Sequence, residues 1–505
     1  MTSALIITVL LIYFAVLFLI SRITARNATN QSFFQANKSA PWMLVAFGMV
    51  GTSLSGVTFI SVPGTVGGSH FNYFQVVIGY FIGYFAVAYI LLPLYYRYNL
   101  TSIYTYLQHR FGFFSYKTGA SLFIISRTLG ATLRLYLVIN VLQLFVLDEW
   151  NFPFWATAAI ILLMILLYTF KGGVKTIVWT DTLQTFFMLL ALVVCVVYIT
   201  NDLGLSFSGA LQKMSESNYL EIFNTNISDK KYFLKQIIGG AFITISMTGL
   251  DQEMMQKNIS VRTLKDSQKN MLTFNFIMVV VNFIFLFLGG MLYLYATSKG
   301  LDLKGDDLFP TIAMQHLPTV VSLIFIIGLI SALFPSADGA ITALTASFCI
   351  DILGMKKTEG DKNSVTNHAS NELKNSKTRK TVHLGFCGLF LIMVLFFKIM
   401  NNKEVVTILL DIAGYTYGPL LGLFAFGVMT KRMVKDRFAP IVCLLAPTIS
   451  FIIDKTSQYW LGDYKFGFEM LAINGIFTFI GLWLISTQKK FQDSHDSSIS
   501  EWSAQ

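Results

Sequence analysis

Long apolar runs separated by short polar or Gly/Pro-rich breaks recur along nearly the whole chain. They fall near residues 4–21, 42–66, 71–95, 118–146, 154–170, 177–199, 232–250, 271–296, 318–353, 382–399, 404–429, 438–453 and 468–487. At about 1.5 Å of rise per residue each can cross roughly 30 Å of hydrocarbon, the fifth and twelfth only marginally. The pattern predicts an all-α polytopic membrane protein with about 13 transmembrane helices. The opening run, MTSALIITVLLIYFAVLFLISR, has neither a basic leader nor a small-residue cleavage site, so it reads as a retained helix.

Composition supports the lipid setting. Of 505 residues, 13% are charged and 54% hydrophobic, where soluble domains carry about 25% charged residues. A net charge of +10 would suit a nucleic-acid partner, so its placement matters. With the N-terminus outside, roughly 25 Lys and Arg fall in inner segments and about nine in outer ones, the positive-inside bias. The inner set includes Lys257, Arg262, Lys265 and Lys269, and seven residues from Lys356 to Lys380. The excess therefore records topology, with a cytoplasmic C-terminus and no nucleic-acid partner. Residues 1–490 read as one transmembrane domain in a plasma or inner membrane, 354–381 as a mobile cytoplasmic loop and 491–505 as a disordered tail. Cys195, Cys349, Cys387 and Cys443 stand singly in apolar runs, and no His spacing suggests a metalloprotease.

Polar and helix-breaking residues inside the spans carry the functional information, because each is costly in lipid unless protein or water satisfies it. The second span, FGMVGTSLSGVTFISVPGTVGG, interleaves Ser and Thr with Gly, and Pro63 followed by Gly64 is the expected helix break. Broken helices at mid-membrane are how transporters present carbonyls to ions and solutes; close helix packing is the alternative. The ninth run holds Ser331, Pro335, Ser336, Asp338, Gly339, Thr342 and Thr345, hard oxygens suited to a small cation or to a structural network. Asp181 lies inside the sixth span as a candidate ion or proton site, or as an interfacial cap near Lys175. Arg127 and Arg134 share a helix face. One is expected to pair with Asp181 or Asp411 and the other to receive an anion. In the eleventh span Asp411, Thr416 and Pro419 stand out, while Tyr415 and Tyr417 read as packing.

Six segments in order resemble the sodium/solute symporter family, whose members carry sugars, proline, sialate, iodide, vitamins and monocarboxylates. They are GTSLSGVTFISVPG, TSIYTYLQHRFG, GGVKTIVWTDTLQ, LDQEMMQKNISVRTLKDSQK, the Ser-rich ninth span ending in CIDIL, and GYTYGPLLGLFAFGVMTKR. The resemblance implies a LeuT-like inverted five-plus-five repeat, about 42–199 and 232–429, each half opening on a broken helix. In the second half Gly239, Gly240, Gly249, Thr244, Ser246 and Thr248 would mark it. Sodium would bind the carbonyls of Gly51, Leu54 and Ala332 and the hydroxyl of Ser336. Pro335 stands where the family has a further hydroxyl. Asp181 and Asp338 would form a second cation site. The solute would sit among Ser53, Ser55, Thr58, Arg134, Thr244, Met247 and Thr248. The implied function is sodium-coupled symport of a small organic solute by alternating access, with sodium as the coupling ion, no other cofactor and no enzyme activity. Arg134 favours an organic anion or amino acid over a neutral hexose. A passive channel, a membrane enzyme and a transport-derived sensor are the competing classes.

Overall fold

The computed structural model describes residues 3–26, 30–355, 365–400 and 405–490. Helix α1 (Ser3–Thr24) precedes a bent span made of α2 (Trp42–Ser53) and α3 (Gly56–Ser69), whose halves meet at 54°. Then follow α4 (Tyr73–Arg97), α5 (Phe113–Trp150), α6 (Phe154–Gly172) and α7 (Val174–Asp202). A second bent span, α8 (Phe233–Gly249) and α9 (Gln252–Asn258) at 68°, opens a second set of five. It continues through α10 (Leu264–Ser298), α11 (Thr319–Ile352), α12 (Val365–Met400) and α13 (Val405–Met429), and α14 (Ala439–Trp460) and α15 (Glu469–Leu484) follow. All thirteen expected runs are thus helical. A short antiparallel pair, β1 (Arg432–Val434) with β2 (Ser486–Lys490), was not expected from the sequence.

The two bends have different local causes. Helix α2 ends at Leu54, whose ψ of 74° leaves the helical region, and Ser55 is extended at φ −71°, ψ 176° before α3 begins. At the other bend the Asp251 carboxylate accepts the N–H groups of Glu253 (2.9 Å) and Met254 (3.2 Å). That N-cap starts a new helix along a new axis immediately after Gly249 and Leu250.

Two expectations are corrected here. The first break is not at Pro63 and Gly64, which lie inside α3. A proline within a helix frees one carbonyl and need not end it where neighbouring helices support the backbone. Gly64 serves packing instead: its carbonyl accepts the Tyr293 hydroxyl at 2.7 Å, and a Cβ there would stand 2.2 Å from the Gly305 carbonyl oxygen. Likewise the loop expected over 354–381 is shorter, because helix α12 already runs from Val365. The tail 491–505 lies outside the described residues.

Helix α11 is the axis of the bundle, buried almost without interruption from Phe325 to Ser347. It packs on α7, α5, α2 and α9. Polar side chains on its flanks therefore meet other side chains and not lipid, the setting in which intramembrane carboxylates are tolerated.

Candidate functional site

A cavity of about 100 Å³ lies where the two bends meet α4 and α5. From the first bend come Ser53, Ser55 and Thr58, from α8 Thr244, Met247 and Thr248, and from α5 Arg134. All seven residues expected to hold the solute thus share one cavity. Sequence reading missed other parts of the wall, among them Tyr73, Tyr80 and Tyr84 from α4 and Asn282 from α10. The Tyr73 and Tyr80 hydroxyls lie 3.4 Å apart. An aromatic in an apolar helix ordinarily signals packing, so no pattern in the sequence distinguished these three.

The two arginines of α5 have opposite roles. Arg134 is 9% exposed and lines the cavity, and its Nε has no hydrogen-bond partner. Among the described residues no carboxylate lies within 4 Å of it. An unpaired buried guanidinium is costly, and a carboxylate entering the cavity would satisfy its planar donors two at a time. Arg127 also borders the cavity and its Nε is likewise without a partner, but its charge is paired: it forms an ion pair with Glu253 and lies 3.6 Å from Asp251. Asp251 also accepts the Tyr417 hydroxyl at 3.2 Å. Arg127 therefore does not pair with Asp181, and the Asp411 side chain lies outside the described residues. Tyr417, read from the sequence as packing in preference to a cavity wall, ties α13 to the second bend.

Asp181 is fully buried, and its partner is neither Lys175 nor an arginine. The Lys257 ammonium lies 2.6 Å from Asp181 Oδ2 and also donates to Thr52 Oγ1 at 2.5 Å. Thr52 in turn donates to Asp181 Oδ2 at 3.1 Å. Lys257, read from sequence as an inner-facing basic residue, is 3% exposed. The other half of the expected second cation site, Asp338, accepts the Tyr168 hydroxyl at 2.6 Å and the Gly339 N–H. The Asp251, Glu253 and Lys257 triad was present in LDQEMMQKN. Its position after an apolar run made it look interfacial, although the i,i+4 spacing of Glu253 and Lys257 was a legible signal.

The residues expected to hold sodium are all buried, on α2, at its end and on α11, and the two helices pack together. Ending α2 at Leu54 releases the carbonyls of its last turn from the helical ladder. Among the described residues no side chain donates to the carbonyls of Gly51 or Leu54. The Gly51 N–H is fixed by Thr185 Oγ1 at 3.0 Å. Ser336 donates its hydroxyl hydrogen to the Leu333 carbonyl at 2.8 Å, which leaves its oxygen lone pairs for a cation. Pro335, lacking an N–H, leaves the Ser331 carbonyl, one residue before Ala332, without its usual helical donor, an acceptor that sequence reading did not name. The donor set fits a small hard cation.

Two bent spans around a cavity that carries hydroxyls and a guanidinium, in a bundle of two five-span sets, define the architecture of a LeuT-like membrane transporter. A solved Na+-coupled sialic acid symporter, in a substrate-bound outward-open state, superposes with a TM-score of 0.80 at 18% identity, covering 96% of this chain and 99% of that one. Residues 33–436 match the model of the sodium:solute symporter family, and the chain belongs to that family. The sodium-coupled monocarboxylate transporter 2 of Mus musculus is 26% identical over 414 residues, 80% of this chain. This chain spans 64% of that protein's length. The sodium/sialic acid symporter NanT of Aliivibrio fischeri is 22% identical over 90% of this chain and 88% of its own.

Proposed function

We propose that this chain is a sodium-coupled symporter that brings a small organic anion, a monocarboxylate, into the cell by alternating access. The observation that carries the reading is Arg134: a buried guanidinium without a protein counter-ion, at the wall of a cavity between two bent helices. The similarity to sodium-coupled monocarboxylate and sialic acid transporters supports it. The cavity of about 100 Å³ holds several times the ~10–15 Å³ needed by one water, a size suited to a short carboxylate.

In this reading the solute carboxylate binds Arg134 and its body lies against Tyr73, Tyr80 and Met247, with Ser53, Ser55 and Thr248 as hydroxyl partners. Sodium binds the Gly51 and Leu54 carbonyls with Ala332 and Ser336 of α11, which pins the first bend to the bundle axis. Because the same bend lines the solute cavity, an ion that fixes it favours the solute-competent shape. The two affinities are then reciprocally linked. In this reading the N-terminus lies outside and the C-terminus in the cytoplasm, an orientation that the distribution of basic residues supports.

The test is uptake of labelled propionate into proteoliposomes under an inward sodium gradient, with hexose, proline and sialate as competitors. Uptake driven by sodium, abolished by choline replacement and insensitive to hexose is the expected result. Propionate flux indifferent to sodium would overturn the reading.

A further inference from the structure

We propose that the Lys257 ammonium is a built-in second cation, which holds the position a second sodium ion would take and limits coupling to one sodium per solute. This rests on the sodium-symport reading. The ammonium sits in an oxygen cage drawn from three elements. It is 2.6 Å from Asp181 Oδ2 on α7, 2.5 Å from Thr52 Oγ1 at the first bend and 3.6 Å from Glu253 Oε1 on its own helix α9. Both short contacts are hydrogen bonds from the ammonium to oxygens of the kind a hard cation takes as ligands. Solvent does not compete for it, since Lys257 is 3% and Asp181 0% exposed.

Protein donors therefore engage both carboxylates of a mobile-ion site between α7 and α11, Asp181 through Oδ2 and Asp338 through both oxygens, while Asp181 Oδ1 is buried without a partner. Asp181 is held by an ammonium tethered to the backbone. Asp338 is held by Tyr168 and the Gly339 N–H, and among the described residues no Lys or Arg comes within 4 Å of it. A sodium ion entering beside Asp181 would meet a like charge a few ångströms away in a dry setting, where repulsion is weakly screened. The same ammonium links α9, after the second bend, to Thr52, before the first, so its charge stays with the protein through the cycle. With an anionic solute, one sodium moving in cancels the solute's charge, and each cycle carries no net charge.

The experiment is dual-label flux in proteoliposomes, with sodium-22 and labelled propionate, repeated under an imposed potassium diffusion potential. A sodium-to-solute ratio of one, with flux indifferent to the potential, is expected; a ratio of two overturns the proposal. Lys257→Gln removes the tethered charge and opens the cage to a second ion. The sodium-induced melting shift, which needs no turnover, should then steepen from a Hill slope of one to near two. Lys257→Met is the second variant, and Lys257→Arg, which keeps the charge, should stay at one. A folded Lys257→Gln or Lys257→Met whose slope remains one also overturns the assignment. If neither folds, the wild-type ratio decides. Wild-type flux and melting that both ignore sodium would instead sink the symport reading itself, a result distinct from a ratio of two.

Discussion

At the first bend the chain reads Thr52, Ser53, Leu54, Ser55 and Gly56, without a charge; at the second it reads Gly249, Leu250, Asp251, Gln252 and Glu253. Both interrupt a span and both line the same cavity, yet their exposed backbone is treated differently. At the second bend the Gly249 carbonyl accepts the Tyr95 hydroxyl at 2.6 Å and the Leu250 carbonyl accepts Tyr104 at 2.9 Å. Arg127 and Tyr417 then fasten Asp251 and Glu253 to α5 and α13. At the first bend, among the described residues, no side chain donates to the carbonyls of Gly51 or Leu54. One bend is closed by the protein itself and the other is left open to outside ligands. Buried carbonyls are rarely left without partners, which is why the proposed ion is assigned to the open bend.

The largest expected effect comes from breaking the closed bend. Arg127→Ala would leave Asp251 and Glu253 buried without their cation, a loss of about 3–5 kcal/mol for a broken buried pair. It should appear as a melting temperature many degrees below wild type in detergent, with or without solute. Arg134→Gln, seven residues along the same helix, should behave in the opposite sense. Removing a guanidinium without a counter-ion leaves the melt unchanged or raises it. Solute affinity falls by about 1.5–3 kcal/mol, the worth of a hydrogen bond to a charged group, or roughly ten- to a hundredfold by calorimetry. Equal stability losses in the two variants would erase the distinction between them. A smaller effect is expected at the open bend: Ser336→Ala removes one oxygen from the sodium set. Apparent sodium affinity should weaken by about 0.5–1.5 kcal/mol, roughly two- to tenfold, with the melt in choline unchanged.

The fold was legible because the signal that fixes a membrane helix, a long apolar run, is additive over some twenty residues and survives local exceptions. The position of the first bend was not. Pro63 is the strongest breaker on paper, but helix breaking in a bundle depends on whether neighbours satisfy the backbone. Here Tyr293 and Gly305 brace the proline segment while Leu54 and Ser55 unwind. The cavity was legible through its small hydroxyls and Arg134, since polar groups in an apolar run need an interior reason. Its tyrosines were hidden among 46 phenylalanines and other aromatics that only pack. Lys257 was hidden by the rule that revealed the topology. Basic residues after a span usually face the cytoplasm, and only the path of α9 turns this one toward Asp181.

The most direct test of the central claim, that the open bend couples ion to solute, is linked binding on the purified protein. Propionate affinity is measured by calorimetry across a sodium series with choline as the replacement, and sodium affinity is measured with and without propionate. The account predicts that each ligand tightens the other by the same factor, as linkage demands. Propionate affinity that stays constant from choline to sodium would contradict it.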